Sequence, residues 1–257
     1  MAGLFGMFTN YSKPGPGIEK NGLQKHRFFL FFEIFFRKFW KMIQLNLLYF
    51  ACCIPIVTIG AATAGYTYVL RNYSREENVF LVSDFFDNFK KNWKMSSVVF
   101  FISLLVWAVL GYAFMFYNAN QNVFDPVLRI IAISVVLCLS FIFLCMQYYM
   151  YLLLVTFKVT FKQMVKNSFI FAIVGLWRNL LATIILALLI IAEIVLVIIT
   201  YPVSILFVAL IFLSLNGFVV MFIVYPLVKK HMIDPITDKE NPEESLQEDT
   251  VFTDNTL

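Results

Sequence analysis

The stretch MSSVVFFISLLVWAVLGYAFMFY, residues 95–117, decides the class of fold. It contains 23 consecutive residues without a charge, and a helix needs about 20 residues to cross about 30 Å of hydrocarbon. Lys90, Lys91 and Lys94 lie directly before it, and the next cation is Arg129. Lys and Arg are enriched on the cytoplasmic side of membrane helices. The stretch therefore predicts a transmembrane helix that begins at the cytoplasmic face.

The composition of the whole chain agrees with lipid as its main solvent. Of 257 residues, 61% are hydrophobic and 14% are charged, whereas soluble domains average about 45–50% and about 25%. Residues 1–230 carry a net charge of +11, and residues 231–257 carry a net charge of −7. The cations flank apolar runs instead of forming one basic surface, so we expect membrane lipid and no nucleic acid as a partner.

Two further charge-poor stretches predict three more membrane helices. Residues 127–156 form one span. The run 179–228 is long enough for two, and we divide it at Tyr201-Pro202 because proline is tolerated at a helix start and disfavoured in its interior. The loop 158–178 and the pair Lys229-Lys230 are basic. The ends of the spans next to them should therefore be cytoplasmic.

Segment 42–70 does not fit a single span, because cations lie on both sides of it. Both of its ends should then face the cytoplasm. Pro55 and Gly60 supply a natural break. We interpret the segment as a helical hairpin, with a first helix over about 28–54 that starts in the membrane interface and a second over about 61–72. The alternative is one kinked span followed by a basic external loop.

The predicted fold class is all-α: a polytopic membrane bundle with about six membrane helices, or five if the hairpin is a single span. We expect a cytoplasmic N-terminal segment over residues 1–24 and one transmembrane domain over residues 25–230. Residues 231–257 are acidic and lack apolar periodicity, which is typical of a disordered tail. Both termini should be cytoplasmic.

Two of the basic connections have the pattern of cytoplasmic surface helices. Ser74 and Glu77 have the spacing of a capping box, and so do Thr160 and Gln163. Apolar residues after the first pair recur on one helical face, as in helices that lie at headgroup depth. We take this face, with nearby lysines, as a candidate contact for a partner protein: Val82, Phe86, Phe89, Trp93, Lys91 and Lys166.

The sequence lacks a P-loop, a dinucleotide-binding motif and a paired-histidine metal motif, so we expect no enzyme, no metal site and no cofactor. Glu193 is the one charge well inside a predicted span, where a carboxylate is costly and indicates a functional site by default. Arg129 is its expected partner. The alternatives are a structural ion pair and a protonated glutamate that is hydrogen-bonded to a neighbour.

Small and polar residues in the apolar segments suggest where helices meet. Gly60 and Gly65 bound a run of small residues that permits close helix packing. The start of the same helix could also present free amides to an anion. Interhelical hydrogen bonds are the expected role of four polar side chains in the spans: Gln44, Asn46, Gln147 and Asn216.

Five motifs in the N-terminal part resemble one protein family. They are YSKPGPG at 11–17, RKFW at 37–40, the segment 53–65 that contains CIP and TAG, SDFF at 83–86 and KKNW at 90–93. Together they resemble the YesL-like family of bacterial integral membrane proteins. The family implies a helical protein of unknown biochemical function, encoded beside carbohydrate ABC importers and two-component sensor kinases of Gram-positive bacteria.

This resemblance implies a non-catalytic accessory subunit of a carbohydrate ABC importer, which binds the permease helices in the plasma membrane. A membrane partner of a sensor kinase that regulates sugar utilisation is one alternative. An independent secondary transporter that uses the Pro55 break and Glu193 is another. The resemblance supplies no catalytic residue for any position of this sequence.

Overall fold

The computed structural model describes residues 26–121, 123–200 and 208–235. Three expectations therefore lie outside the described residues: the segment 1–24 with its YSKPGPG motif, the division at Tyr201-Pro202 and most of the acidic tail. Seven α-helices fill the described ranges: α1 Arg27–Cys53, α2 Ile59–Ser74, α3 Leu81–Ala119, α4 Pro126–Thr156, α5 Phe161–Val174, α6 Leu176–Thr200 and α7 Leu213–Val228. The expected all-α fold is confirmed for this part of the chain.

Four helical segments are long and apolar enough to cross a membrane. They are Leu81–Ala119, Pro126–Thr156, Leu176–Thr200 and Leu210–Ile233, the last of which joins α7 to the π-helical turns at its two ends. The first three contain expected spans, and the fourth covers the last expected span from Leu210 onward. Neither helix of the hairpin is among them, and α2 with its 16 residues is only about 24 Å long.

The hairpin has the expected break around Pro55. α1 ends at Cys53, a 3₁₀ turn covers Ile56–Thr58, and α2 begins at Ile59. The two helices are antiparallel, because Arg37 Nη2 lies 2.6 Å from Glu76 Oε2 at one end of the pair. Nearer the turn, the hydroxyl oxygens of Tyr49 and Thr63 are 3.2 Å apart.

The separate surface helix expected after Ser74 is wrong. α3 runs without interruption over 39 residues, because neither proline nor glycine occurs between Phe80 and Gly111. Ser74 is the last residue of α2, and its hydroxyl donates to the Arg71 carbonyl at 2.7 Å instead of capping a new helix. The first turn of α3 is held instead by Asp84, whose carboxylate accepts from the Phe80 amide at 2.9 Å.

The second capping box forms as expected. Thr160 Oγ1 accepts a hydrogen bond from the Gln163 amide at 3.4 Å, and Gln163 Oε1 accepts one from the Thr160 amide at 3.0 Å. These reciprocal bonds satisfy amides that the first turn of a helix leaves unpaired. α5 therefore begins at Phe161.

The core of the protein surrounds α2. Nearly all residues of α2 between Gly60 and Tyr73 are buried, and the helix packs against α1, α3, α4 and α7. The largest fully buried side chains come from four different helices: Tyr73, Tyr149, Phe85 and Phe218. In contrast, most apolar side chains in the distal halves of α3 and α6 and in the first half of α4 are exposed.

Candidate functional site

Gly60 and Gly65 lie inside α2 and allow α3 to approach closely. A β-carbon on Gly65 would lie 2.6 Å from the Phe85 carbonyl oxygen, which is closer than real contacts of this kind. A β-carbon on Gly60 would overlap the carbonyl oxygen of Ser96. The two glycines therefore mark helix packing, while the break itself lies at Pro55.

A surface groove of about 330 Å³ lies where the turn of the hairpin meets α3. Its walls come from the turn, the start of α2 and the first half of α3: Val57, Thr58, Ala61, Phe89, Lys90, Trp93 and Ser97. The turn is closed by Thr58, whose hydroxyl lies 2.6 Å from the Cys52 carbonyl and 2.7 Å from the Pro55 carbonyl. The turn of the hairpin therefore lies beside the basic stretch that precedes the apolar part of α3.

The candidate partner-contact face is divided between surface and core. Val82 and Trp93 are 59% and 52% exposed, and Lys91 is exposed as well. Phe86 and Phe89 are partly buried and pack against the core. Lys166, also exposed, lies on α5. The buried stripe of α3 is a neighbouring one, formed by five residues: Phe85, Asn88, Ser96, Val99 and Ser103.

Glu193 on α6 is hydrogen-bonded to α7. Asn216 Nδ2 donates to Glu193 Oε1 at 2.9 Å. Among the described residues, the ion pairs within 4.0 Å do not include one between Glu193 and Arg129. The partner of Glu193 is therefore Asn216 and not the expected Arg129.

The register of α4 and α6 explains this difference. The hydroxyl oxygens of Tyr148 and Thr183 are 3.1 Å apart, and the two helices run in opposite directions. Continued along the helices, this register sets Glu193 level with residue 138 of α4. Arg129 is nine residues further along, about 13 Å at 1.5 Å per residue, which is too far for direct contact.

Arg71, one of the cations that flank segment 42–70, is buried. It is 7% exposed, and its guanidinium contacts neutral acceptors. Nη1 donates to the Val155 carbonyl and to Thr156 Oγ1 at 3.1 Å, and Nη2 donates to Asn72 Oδ1 at 2.8 Å. The last carbonyls of a helix have no partner within the helix. Arg71 of α2 therefore caps the C-terminal end of α4.

A second arginine supplies a hydrogen bond that proline removes. Pro226 lies inside α7 and has no amide hydrogen. The carbonyl four residues earlier, on Phe222, accepts instead from Arg27 Nη2 at 2.8 Å. The Arg27 guanidinium also lies 5.1 Å from the centre of the Phe222 ring. The start of α1 is thereby tied to the last turns of α7.

Three of the four polar side chains expected to link helices do so. Ser214 donates to Asn46 Oδ1 at 2.6 Å, which joins α7 to α1. Gln147 Nε2 lies 2.7 Å from Ser103 Oγ, which joins α4 to α3. Asn216 makes the contact with Glu193 described above, whereas Gln44 is exposed.

Residues 42–114 match the model of a family described as a protein of unknown function, DUF624. This is the YesL-like family. The resemblance drawn from the N-terminal motifs is therefore confirmed. The DUF624 match covers the second half of α1, all of α2 and most of α3, and so contains the close contact at Gly60 and Gly65. No curated protein and no solved structure matches the chain.

The arrangement is one of helix contacts. In the described parts of the chain, His, Cys, Asp and Glu side chains do not form a group of three or more that could hold a metal ion. The description of the DUF624 family gives no activity.

Proposed function

We propose that this chain is a non-catalytic accessory subunit of a carbohydrate ABC importer in the plasma membrane of a Gram-positive bacterium. It would act by binding the permease helices with its own membrane helices. The confirmed family resemblance supports this role through the importers that are typically encoded beside the family. The second support is the large apolar surface that the chain leaves uncovered.

That surface carries the proposal. In the most apolar 18-residue windows of α3, α4 and α6, only 6% of the residues are buried within the chain. The corresponding window of the segment Leu210–Ile233 is 50% buried. Over these windows, the three helices therefore leave most of their surface to lipid or to other helices. An isolated transporter would need them to enclose a pathway instead.

Gly111 is the point on α3 where a partner helix could approach most closely. A β-carbon there would meet no atom within 4 Å. Beside it, Tyr112 is 71% exposed and Trp107 is 37% exposed. In membranes, helix association depends on close packing, and small residues let two backbones approach each other. We therefore assign the permease contact to the face of α3 around Gly111.

A pull-down of this chain from membranes solubilised in mild detergent tests the assignment. We expect Gly111→Leu to recover far fewer permease subunits than the wild type. The added side chain would keep the partner backbone at a distance without touching anything inside this protein. Gly111→Ala and Val109→Leu are matched controls, which should retain recovery. Recovery of this chain alone from the wild-type strain would count against the accessory role.

We also propose a topology of four spans with both termini in the cytoplasm. The cations beside the spans favour this orientation. The hairpin would remain on the cytoplasmic side, since its turn lies in a groove with Lys90 and Trp93. This differs from the six-helix count, in which the hairpin would reach the external face.

Cysteine labelling tests the topology directly. In a variant without the native cysteines, we expect Val57→Cys to react with a membrane-impermeant maleimide in inside-out vesicles and not in intact cells. Val57 is 62% exposed, so the thiol would be reachable. Val123→Cys, in the connection between α3 and α4, is the control that should react from the outside. Labelling of Val57→Cys in intact cells would contradict the four-span topology and support a hairpin that crosses the membrane.

A membrane partner of a sensor kinase is the second candidate function. The exposed side chains of Val82 and Trp93, with Lys91 between them, favour it because a soluble or juxtamembrane helix could contact them. Under this alternative, deletion of the chain would change induction of target genes while constitutively expressed importer still took up sugar. Under the accessory role, uptake itself would fall.

A further inference from the structure

Asn216 leaves one of its two polar atoms unsatisfied beside Glu193. Its Nδ2 donates to Glu193 Oε1 at 2.9 Å. Its Oδ1 is buried and has no hydrogen-bond partner. Leaving a buried amide oxygen without a hydrogen bond costs free energy. A donor next to this atom would therefore stabilise the protein.

The neighbouring carboxyl group can be that donor only if it carries a proton. An ionised carboxylate has acceptors alone, whereas a protonated one has an O–H donor as well as an acceptor. A carboxylic acid and a primary amide are both planar, and each then offers one donor and one acceptor to the other. With the Nδ2 to Oε1 bond formed, Oε2 is the atom available to Oδ1.

Among the described residues, the nearest charges on α6, on α4 and after α7 are all distant from Glu193. On α6 itself the nearest charged residue is Arg178, fifteen positions away, which is about 22 Å along the helix. Directly after α7 the nearest is Lys229, thirteen positions beyond Asn216. Arg129 of α4 lies about 13 Å along its helix from the position level with Glu193. An unpaired charge in the hydrocarbon region is costly.

We propose that Glu193 and Asn216 form a neutral acid–amide pair, a proton-binding site that joins α6 to α7 inside the membrane. Glu193 Oε2–H donates to Asn216 Oδ1, and Asn216 Nδ2–H donates to Glu193 Oε1. Both polar side chains are then satisfied without any charge. The pair holds α6 and α7 together.

Infrared spectroscopy of the full chain in lipid nanodiscs at neutral pH tests the proton. We expect the wild-type protein to show a C=O stretch of a protonated carboxyl group that Glu193→Gln lacks. Asn216→Leu should keep this band but shift it, because the carboxyl would lose its hydrogen-bond partner. If the Glu193→Gln spectrum instead loses only carboxylate absorption, Glu193 is ionised and the proposal fails.

Thermal unfolding gives an independent readout. Glu193→Gln should leave stability nearly unchanged, since two primary amides can form the same pair of hydrogen bonds. Glu193→Leu and Asn216→Leu should each lower the ratio of folded to unfolded protein by about 3- to 20-fold, the range for interhelical hydrogen bonds. The double variant should lose no more than either single one. A loss in Glu193→Gln equal to that in Glu193→Leu would overturn the proposal.

Discussion

Gly65→Ala is expected to destabilise the protein by about 1–3 kcal/mol, the range for overpacked cores. The new methyl carbon would lie 2.6 Å from the Phe85 carbonyl oxygen. This atom belongs to the backbone of α3, so it cannot rotate away as a side chain would. The helices must separate instead, and α2 lies at the centre of the core. Thermal unfolding in nanodiscs measures the effect.

Gly111→Ala is the matched control, because the same methyl group would meet no atom within 4 Å there. Alanine is better than glycine in a helix by about 1 kcal/mol, so this variant should be as stable as the wild type or more stable. Opposite signs for one chemical change would show that contact with α3 is responsible. Equal losses at the two glycines would contradict the close packing of α2 and α3.

Arg71→Ala should be the second strongly destabilising change. The guanidinium donates to the Val155 carbonyl and to Asn72 Oδ1, and both acceptors would lose this donor. Each buried acceptor left without a donor costs about 1–3 kcal/mol. The cavity left by the side chain adds to this loss. We expect lower yield of folded protein and a clearly lower midpoint of thermal unfolding.

Arg75→Ala serves as the control, four positions further along the chain and directly after α2. The side chain of Arg75 is 35% exposed and pairs with Glu77 at 2.6 Å. Exposed ion pairs of this kind contribute about 0–1 kcal/mol. The loss should therefore be much smaller than for Arg71→Ala. Similar losses for the two variants would mean that the hydrogen bonds of Arg71 to α4 do not stabilise the fold.

The features that depend on neighbouring residues could be predicted from the sequence. The spans follow from the cost of charges in hydrocarbon, and the charge-poor stretches 95–117, 127–156 and 179–228 contain most of the apolar parts of the four span-length segments. The break at Pro55 and the capping box of Thr160 and Gln163 are equally local. Ser74 and Glu77 had the same spacing, but burial of the last turn of α2 in the core extends that helix through Ser74.

The features that depend on distant residues could not be predicted. Arg71 looks like any other cation beside a span, and its acceptor Val155 is 84 positions away. The partner of Glu193 depends on the register between helices, which no local pattern contains. Arg129 is the partner expected from the sequence, whereas packing brings Asn216 to the carboxyl group. Charge patterns therefore locate helices in the membrane without showing which side chains meet.

The bond between Arg27 and the Phe222 carbonyl has a consequence for biosynthesis. Its two residues are separated by 195 positions, and ribosomes add about 5–20 residues per second. The first helix therefore emerges about 10–40 s before its acceptor exists. Throughout that time α1 has to stay in the growing chain without the helix that later covers it. The contact between α1 and α7 therefore forms late, and a nascent chain truncated before α7 would present the hairpin to the insertion machinery without this contact.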